Sequence, residues 1–212
     1  MIGRLVVMSR WPAPLRCKRR LARGLGAERA AAVQARLTAH CLRTGRRALR
    51  LRQARRPRER WQLVLAVGGA GGRCAERWGR AVGADRVELQ GTGALGLRMQ
   101  RQMVQGRRHG AAASVLIGSD LPTLSPADLL AAFDALERGD VVLGPASDGG
   151  YWLVAVRQPW AGLFAGADGP IGWGGDRVLE HTLAAARRAR RRVVLLEERS
   201  DLDRPADLEV WR

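Results

Sequence analysis
Apolar residues in this chain alternate between short continuous runs and stretches where they recur every three to four positions. These are the patterns of buried strands and of amphipathic helices. Residues 2–8 form the first run and predict a strand, followed by a long basic loop. Val33, Leu37 and Leu42 in an alanine-rich stretch predict a helix over 27–43. Residues 47–52 read as a short strand and the arginine-rich stretch 53–60 as a solvated connection. Trp61 to Val67 reads as a buried strand that ends at Gly68-Gly69-Ala70-Gly71-Gly72, with a helix over 73–81 after it. A strand at 86–89 and a helix over 95–108 come next.

The clearest unit begins with an apolar strand at 113–117 that ends at Gly118. Beyond the loop, Ser125-Pro126-Ala127-Asp128 opens a helix to 138: a serine N-cap, a proline at the first helical position and an acid in the positive first turn. Strands at 140–144 and 151–156 flank Pro145 to Gly150. A helix over 175–189 has Val178, Leu179, Leu183 and Ala186 facing inward, and a strand at 193–197 and a short terminal helix complete the pattern. Strands alternating with helices imply an α/β fold, Rossmann-like, with a mainly parallel central sheet covered by helices on both faces. No linker interrupts the pattern, so residues 1–212 read as one domain.

Composition narrows the function classes. The 46% of hydrophobic residues is ordinary for a globular chain. No apolar run reaches the roughly 18 residues of a membrane span. The opening segment lacks the cleavage site of a secretory signal, so the reading is a cytoplasmic protein without membrane insertion. Cys17, Cys41 and Cys74 are too scattered for a disulfide framework or a zinc site. His40, His109 and His181 are dispersed and compose no catalytic triad. The net charge of +17 predicts attraction for phosphorylated ligands. The arginines are spread along the chain, and Arg43 to Arg60 has no interleaved aromatics, which disfavours nucleic acid as the partner. Lys18 is the only lysine in the chain.

Ligands of parallel sheets sit beyond the carboxyl ends of the strands, which selects four loops. The first, Ser9 to Leu21, carries Arg10, Pro12, Pro14, Arg16, Lys18, Arg19 and Arg20, and reads equally as a phosphate grip or as a solvated basic loop. The glycines of 68–72 lack the spacing of a phosphate cradle and read as a tight turn. In Gly118-Ser119-Asp120, a carboxylate directly after a buried strand is placed to hold a hard cation or to satisfy loop amides. Asp201 and Asp203 offer a second acid at another strand end. Asp148-Gly149-Gly150-Tyr151 reads as a ligand loop or as a hairpin turn.

In order along the chain, these stations resemble a known bacterial group. The resemblance rests on Pro12, Pro14, Lys18, Arg20 and Leu21; Gln90-Gly91, Leu95-Gly96 and Arg98-Met99; Ile117 to Asp120; Leu143 to Pro145 with Asp148 to Tyr151; Trp173-Gly174; and Asp201-Leu202-Asp203 with Pro205, Asp207 and Leu208. The group is the GT-A-like family called radical-SAM/selenodomain-associated transferase, also labelled arsenosugar-biosynthesis glycosyltransferase. It is related to the molybdenum-cofactor and phospholactate guanylyltransferases. The resemblance implies a nucleotide-diphospho-sugar transferase fold and a metal-dependent transfer of a sugar from a nucleotide-sugar to a small-molecule acceptor. Nucleotidyl transfer from a nucleoside triphosphate is the alternative, and a non-catalytic nucleotide-binding protein is a third reading.

The implied roles are Asp120 and Lys18 in catalysis, and Ser9, Arg10, Lys18, Arg20, Gly118 and Ser119 at the nucleotide. Asp148, Gly149, Gly150, Tyr151 and Trp173 would face the sugar or acceptor. Asp120 with Asp203 would hold Mg²⁺ or Mn²⁺. The chain departs from the group at Leu15, where glycine is usual, at Arg19, where threonine is usual, and at Leu97, where glutamate is usual.

Overall fold
A computed structural model describes residues 2–166 and 171–211. Seven strands, β1 (Ile2–Arg10), β2 (Arg60–Gly68), β3 (Arg86–Leu89), β4 (Ala113–Gly118), β5 (Val141–Pro145), β6 (Tyr151–Val156) and β7 (Val193–Leu195), form one sheet in the order β3-β2-β1-β4-β6-β5-β7. β1 pairs in parallel with β2 and β4, β2 with β3, and β5 with β7; β6 runs antiparallel between β4 and β5. The carboxyl ends of the parallel strands therefore share one edge, and the start of β6 joins them there.

Both faces are covered. On one, Leu5, Val7, Leu63 and Leu65 pack against Leu42 and Leu49 of helix α2 (Ala27–Arg55), Ala75 of α3 (Gly72–Ala81) and Leu129 and Phe133 of α5 (Pro126–Arg138). On the other, Val6, Val64, Leu116 and Val154 meet Met99 and Met103 of α4 (Leu95–Arg108) and Leu179 and Leu183 of α6 (Val178–Arg188). Truncating one of these buried leucines to alanine would cost about 2–5 kcal/mol. Ser125 caps α5 as the sequence predicts, and Asp128 closes a reciprocal capping box.

Five elements differ from the sequence reading. The helix expected over 27–43 runs on to Arg55, so the strand at 47–52 and the first three residues of the solvated connection are helix instead. Ala48, Leu49 and Arg52 face inward at helical spacing, and packing of that face decides where a short apolar run left the choice open. Part of the first loop is also helical: α1 (Arg19–Leu25) buries Leu21 against Ala30, Leu37 and Leu202. The last strand is trimmed to 193–195, the helix expected over 175–189 spans only α6, and the terminal turn Pro205–Trp211 is a 3-10 helix.

Candidate active site at the carboxyl edge of the sheet
A cleft of about 540 Å³ opens at the shared edge. Ser9 and Arg10 enter from β1, Gly118 to Asp120 from β4, Asp148, Gly150 and Tyr151 from the β5–β6 connection, and Asp201 and Asp203 from the segment after β7. Lys18 and Arg20 line the wall made by the first loop and α1, and Trp173 lines the wall towards α4. The cleft thus gathers all but one of the site residues expected from the sequence. Gly149 is the exception: it works behind the cleft wall. Its φ is +84°, a Cβ there would lie 1.8 Å from the carbonyl oxygen of Asp176, and its own carbonyl accepts from the amide of Leu179 at 2.9 Å. Only glycine tolerates both the dihedral and the approach. The connection is a hairpin turn, as one sequence reading had it, and it lines the cleft as well.

Asp120 is fixed by a buried polar chain that sequence reasoning did not find. Gln34 of α2 donates to Ser9 Oγ at 3.0 Å and to Ser119 Oγ at 2.8 Å, and Ser119 donates to Asp120 Oδ1 at 3.2 Å. Thr38 gives its only hydroxyl proton to the carbonyl of Gln34, so Ser9 donates to Thr38 Oγ1 at 2.7 Å. The signal was present: Gln34 and Thr38 sit four apart on the same inward stripe as Leu37 and Cys41. A polar pair on an apolar stripe needs buried partners. Gln90 adds a second brace by donating to the carbonyls of Ser9 and Ala66 at 3.1 and 2.9 Å.

The charges of the cleft are unevenly matched. The Lys18 ammonium, with its side chain 3% exposed, lies 2.9 Å from Asp120 Oδ1 and also donates to the carbonyl of Leu202. Arg20 pairs with Asp203 at 2.6 Å. Asp201 has neither cation as a direct partner; burial, then repulsion from Asp148 and Asp120, push its carboxyl above the usual aspartate range. Among the described residues no group of three or more histidine, cysteine or acidic side chains is close enough to cage a metal. Asp120 with one neighbouring carboxylate fits instead a hard cation that completes its shell with phosphate oxygens and water.

The loop that carries Lys18 is held in unusual backbone. Leu15 and Lys18 both have positive φ, 64° and 46°. The position where the resembling family uses glycine is one where a Cβ is disfavoured. On the far wall, Trp173 packs directly on Gly96, where a Cβ would stand 2.6 Å from its ring, and meets Tyr151 edge to face at 6.4 Å. The Tyr151 hydroxyl is buried towards Thr182 of α6, and burial raises its pKa. What Tyr151 offers the cleft is its ring.

Residues 50–169 match the pattern of a family described as an uncharacterized protein conserved in bacteria (DUF2064). The chain belongs to that family. The matched stretch holds Asp120 and the 148–151 turn but neither the first loop nor Asp203. Among curated proteins nothing matches the chain. Among solved structures, a candidate nucleotide-diphospho-sugar transferase from Desulfovibrio desulfuricans G20 is 27% identical, with a TM-score of 0.77 over 95% of this chain and 82% of that one. A 4-diphosphocytidyl-2C-methyl-D-erythritol synthase from Anaerococcus prevotii is 8% identical, with a TM-score of 0.61 over 99% and 95% of the two chains. The inositol-1-phosphate CTP transferase of T. maritima is 16% identical, with a TM-score of 0.54 over 99% and 93%. The last two share the fold alone. This chain therefore has the fold of nucleotide-diphospho-sugar transferases and cytidylyltransferases. No helix among the described residues is long and apolar enough to cross a membrane.

Proposed function
We propose that the protein is a transferase that takes a group from a nucleotide-activated donor, with glycosyl transfer to a small-molecule acceptor as the leading reading. The observation that carries it is the Lys18–Asp120 pair at the strand edge, inside a cleft with cationic and acidic walls. Lys18 and Arg20 lie against the donor phosphates, with the backbone and hydroxyl of Ser119 beside them. Asp120 would hold Mg²⁺ or Mn²⁺, with Asp203, now paired with Arg20, or Asp201 of the same cleft as second ligand. Bound there, the divalent ion supplies positive charge against the charge that develops on the departing phosphate. The rings of Tyr151 and Trp173 and the carboxylate of Asp148 face the sugar or acceptor. The likeness to the Desulfovibrio protein and the sequence resemblance to the selenodomain-associated transferases support the glycosyl reading.

Nucleotidyl transfer uses the same groups and is the second reading. Products separate the two: a nucleoside diphosphate leaves in glycosyl transfer, pyrophosphate in nucleotidyl transfer from a triphosphate. The test begins with thermal stabilisation by nucleotide-sugars and nucleoside triphosphates, with and without Mn²⁺. A Mn²⁺-dependent shift is expected in the wild type and is lost in Asp120→Ala, with turnover of the stabilising donor falling about 10²–10³-fold. Identical responses of the two proteins to every ligand would remove Asp120 from the site. The same measurement on Asp201→Ala and Asp203→Ala decides the second ligand.

A further inference from the structure
The continuation of α2 to Arg55 has a consequence away from the cleft. Arg29, Arg36, Arg43, Arg47 and Arg50 are all exposed. At about 100° per residue they fall within an arc of about 60°, and they span roughly 31 Å of helix axis. The arc lies on the side of α2 opposite Gln34, Leu37, Cys41 and Ala48, which face the sheet and the cleft. Had the helix stopped at 43, the last two guanidiniums would not share this line.

None of the five has a carboxylate partner among the described residues, whereas Arg46 is matched by Asp85 at 2.6 Å and Arg52 by Glu59, Asp134 and Glu137. Glu28 is the only acid in the helix. Solvated helix faces usually intersperse acids, because like charges four apart, such as Arg43 and Arg47, weaken the helix. At the carboxyl-terminal half of the line, Arg43, Arg46, Arg47 and Arg50 line a groove of about 470 Å³, with Val82 and Gly83 as its opposite wall.

Against the expectation from arginines scattered along the sequence, which the helix gathers into one line, we propose that this face of α2 is a docking surface for the phosphate backbone of a nucleic-acid duplex. Guanidinium forks match phosphate oxygens two at a time, and a straight line of them tracks a regularly charged rod. α2 contains no phenylalanine, tyrosine or tryptophan on which unstacked bases could lie, which favours a duplex over a single strand. Leu51 is the only large hydrophobic residue of α2 that is exposed, so the face lacks the apolar wedge of a membrane-surface helix. The contact is sequence-independent, since nothing on the face is placed to read base edges.

The test is binding of the full chain to labelled DNA and RNA duplexes over a salt series, with R43Q/R47Q/R50Q compared against R107Q/R108Q/R187Q, which removes equal charge from α4 and α6. The stripe triple should weaken binding at least tenfold at 150 mM salt and flatten the slope of log K against log salt by about 3. The control triple should bind within twofold of wild type, and R43K/R47K/R50K should retain most of the affinity. All three variants should keep the nucleotide response of wild type and melt no lower than it, because every substituted side chain is exposed and outside the cleft and the stripe triple relieves like-charge repulsion. Equal losses in the two glutamine triples would overturn the proposal, since net charge alone would then explain binding. Absence of duplex binding by wild type at 150 mM salt would overturn it too, as would tighter binding to vesicles of anionic lipid through the same arginines.

Discussion

Two ion clusters at opposite ends of the sheet show how the same residue types serve different ends. At the amino-terminal end of the strands, Arg52 is almost wholly buried, with 4% of its side chain exposed, and is matched on every side. Its guanidinium donates to both oxygens of Glu59 at 2.9 Å, to Asp134 at 2.6 Å and to Glu137 at 2.7 Å. The hydrogen bonds it donates to Glu59, reinforced by that to Glu137, hold it above even the usual arginine range. At the carboxyl edge, Lys18 meets Asp120 and Arg20 meets Asp203, but Asp201 is left facing like charges. The first cluster has no role left to fill; the second is short of one cation. A saturated network ties elements together, whereas an unsaturated one in a cleft is a place for a ligand.

This contrast can be broken at the saturated end. Arg52→Met should destabilise the protein by about 3 kcal/mol, because three carboxylates lose their shared partner. For a chain of this size that is roughly a 6–12 °C fall in Tm. Denaturant melts check the value, and metal-dependent nucleotide binding should survive in the folded fraction.

The pair Asp128 and Asp201 sharpens the contrast through pH. Burial pushes Asp128 up, but hydrogen bonds from Arg199 and from Ser125 outweigh it and hold the carboxyl below the usual range. Its folded form holds the proton less tightly than the unfolded chain. Its stabilisation is therefore present above about pH 4 and lost as the pH falls through the lowered value. Asp128→Asn should cost about 1 kcal/mol at pH 7, and the deficit should vanish in acid. Asp201 carries the opposite sign. Its folded form holds the proton more tightly, so its contribution is complete below about pH 4 and is lost as the pH rises through the raised value. Asp201→Asn should therefore melt above wild type at pH 7, with the gap closing in acid. A lower Tm for Asp201→Asn at pH 7 would contradict the unmatched cluster.

The smallest effect concerns the loop itself. Leu15 is 77% exposed with φ 64°, so its side chain contributes little packing to offset the backbone. Leu15→Gly should raise Tm by about 1–2 °C, while Leu15→Ala, which keeps the Cβ, should not.

How much was legible in the sequence varied by element. β3, α4 and β6 fall at the expected residues because apolar runs and turn glycines bound them tightly. The serine cap of α5 was readable because capping is local chemistry. The region from 44 to 55 was not, since a short apolar run interrupted by arginines fits a strand or a helix equally until a partner face is known. Likewise Lys18 stood out as the lone lysine and Asp120 as the acid after a buried strand. Gln34 and Thr38, which hold Asp120 in place through Ser9 and Ser119, are far from it in sequence and carried only a faint signal.

The sequence by itself determined the α/β alternation, the mainly parallel sheet and the loops that would meet at its carboxyl edge. Those follow from periodicity and from the rule that parallel strands share a direction. Tertiary structure alone decided which charges are matched. It put Arg20 on Asp203, left Asp201 among like charges and drew Arg29 to Arg50 into one line. The reason is physical: hydrophobic periodicity is a property of neighbours along the chain, whereas charge pairing depends on distances between segments that only folding brings together.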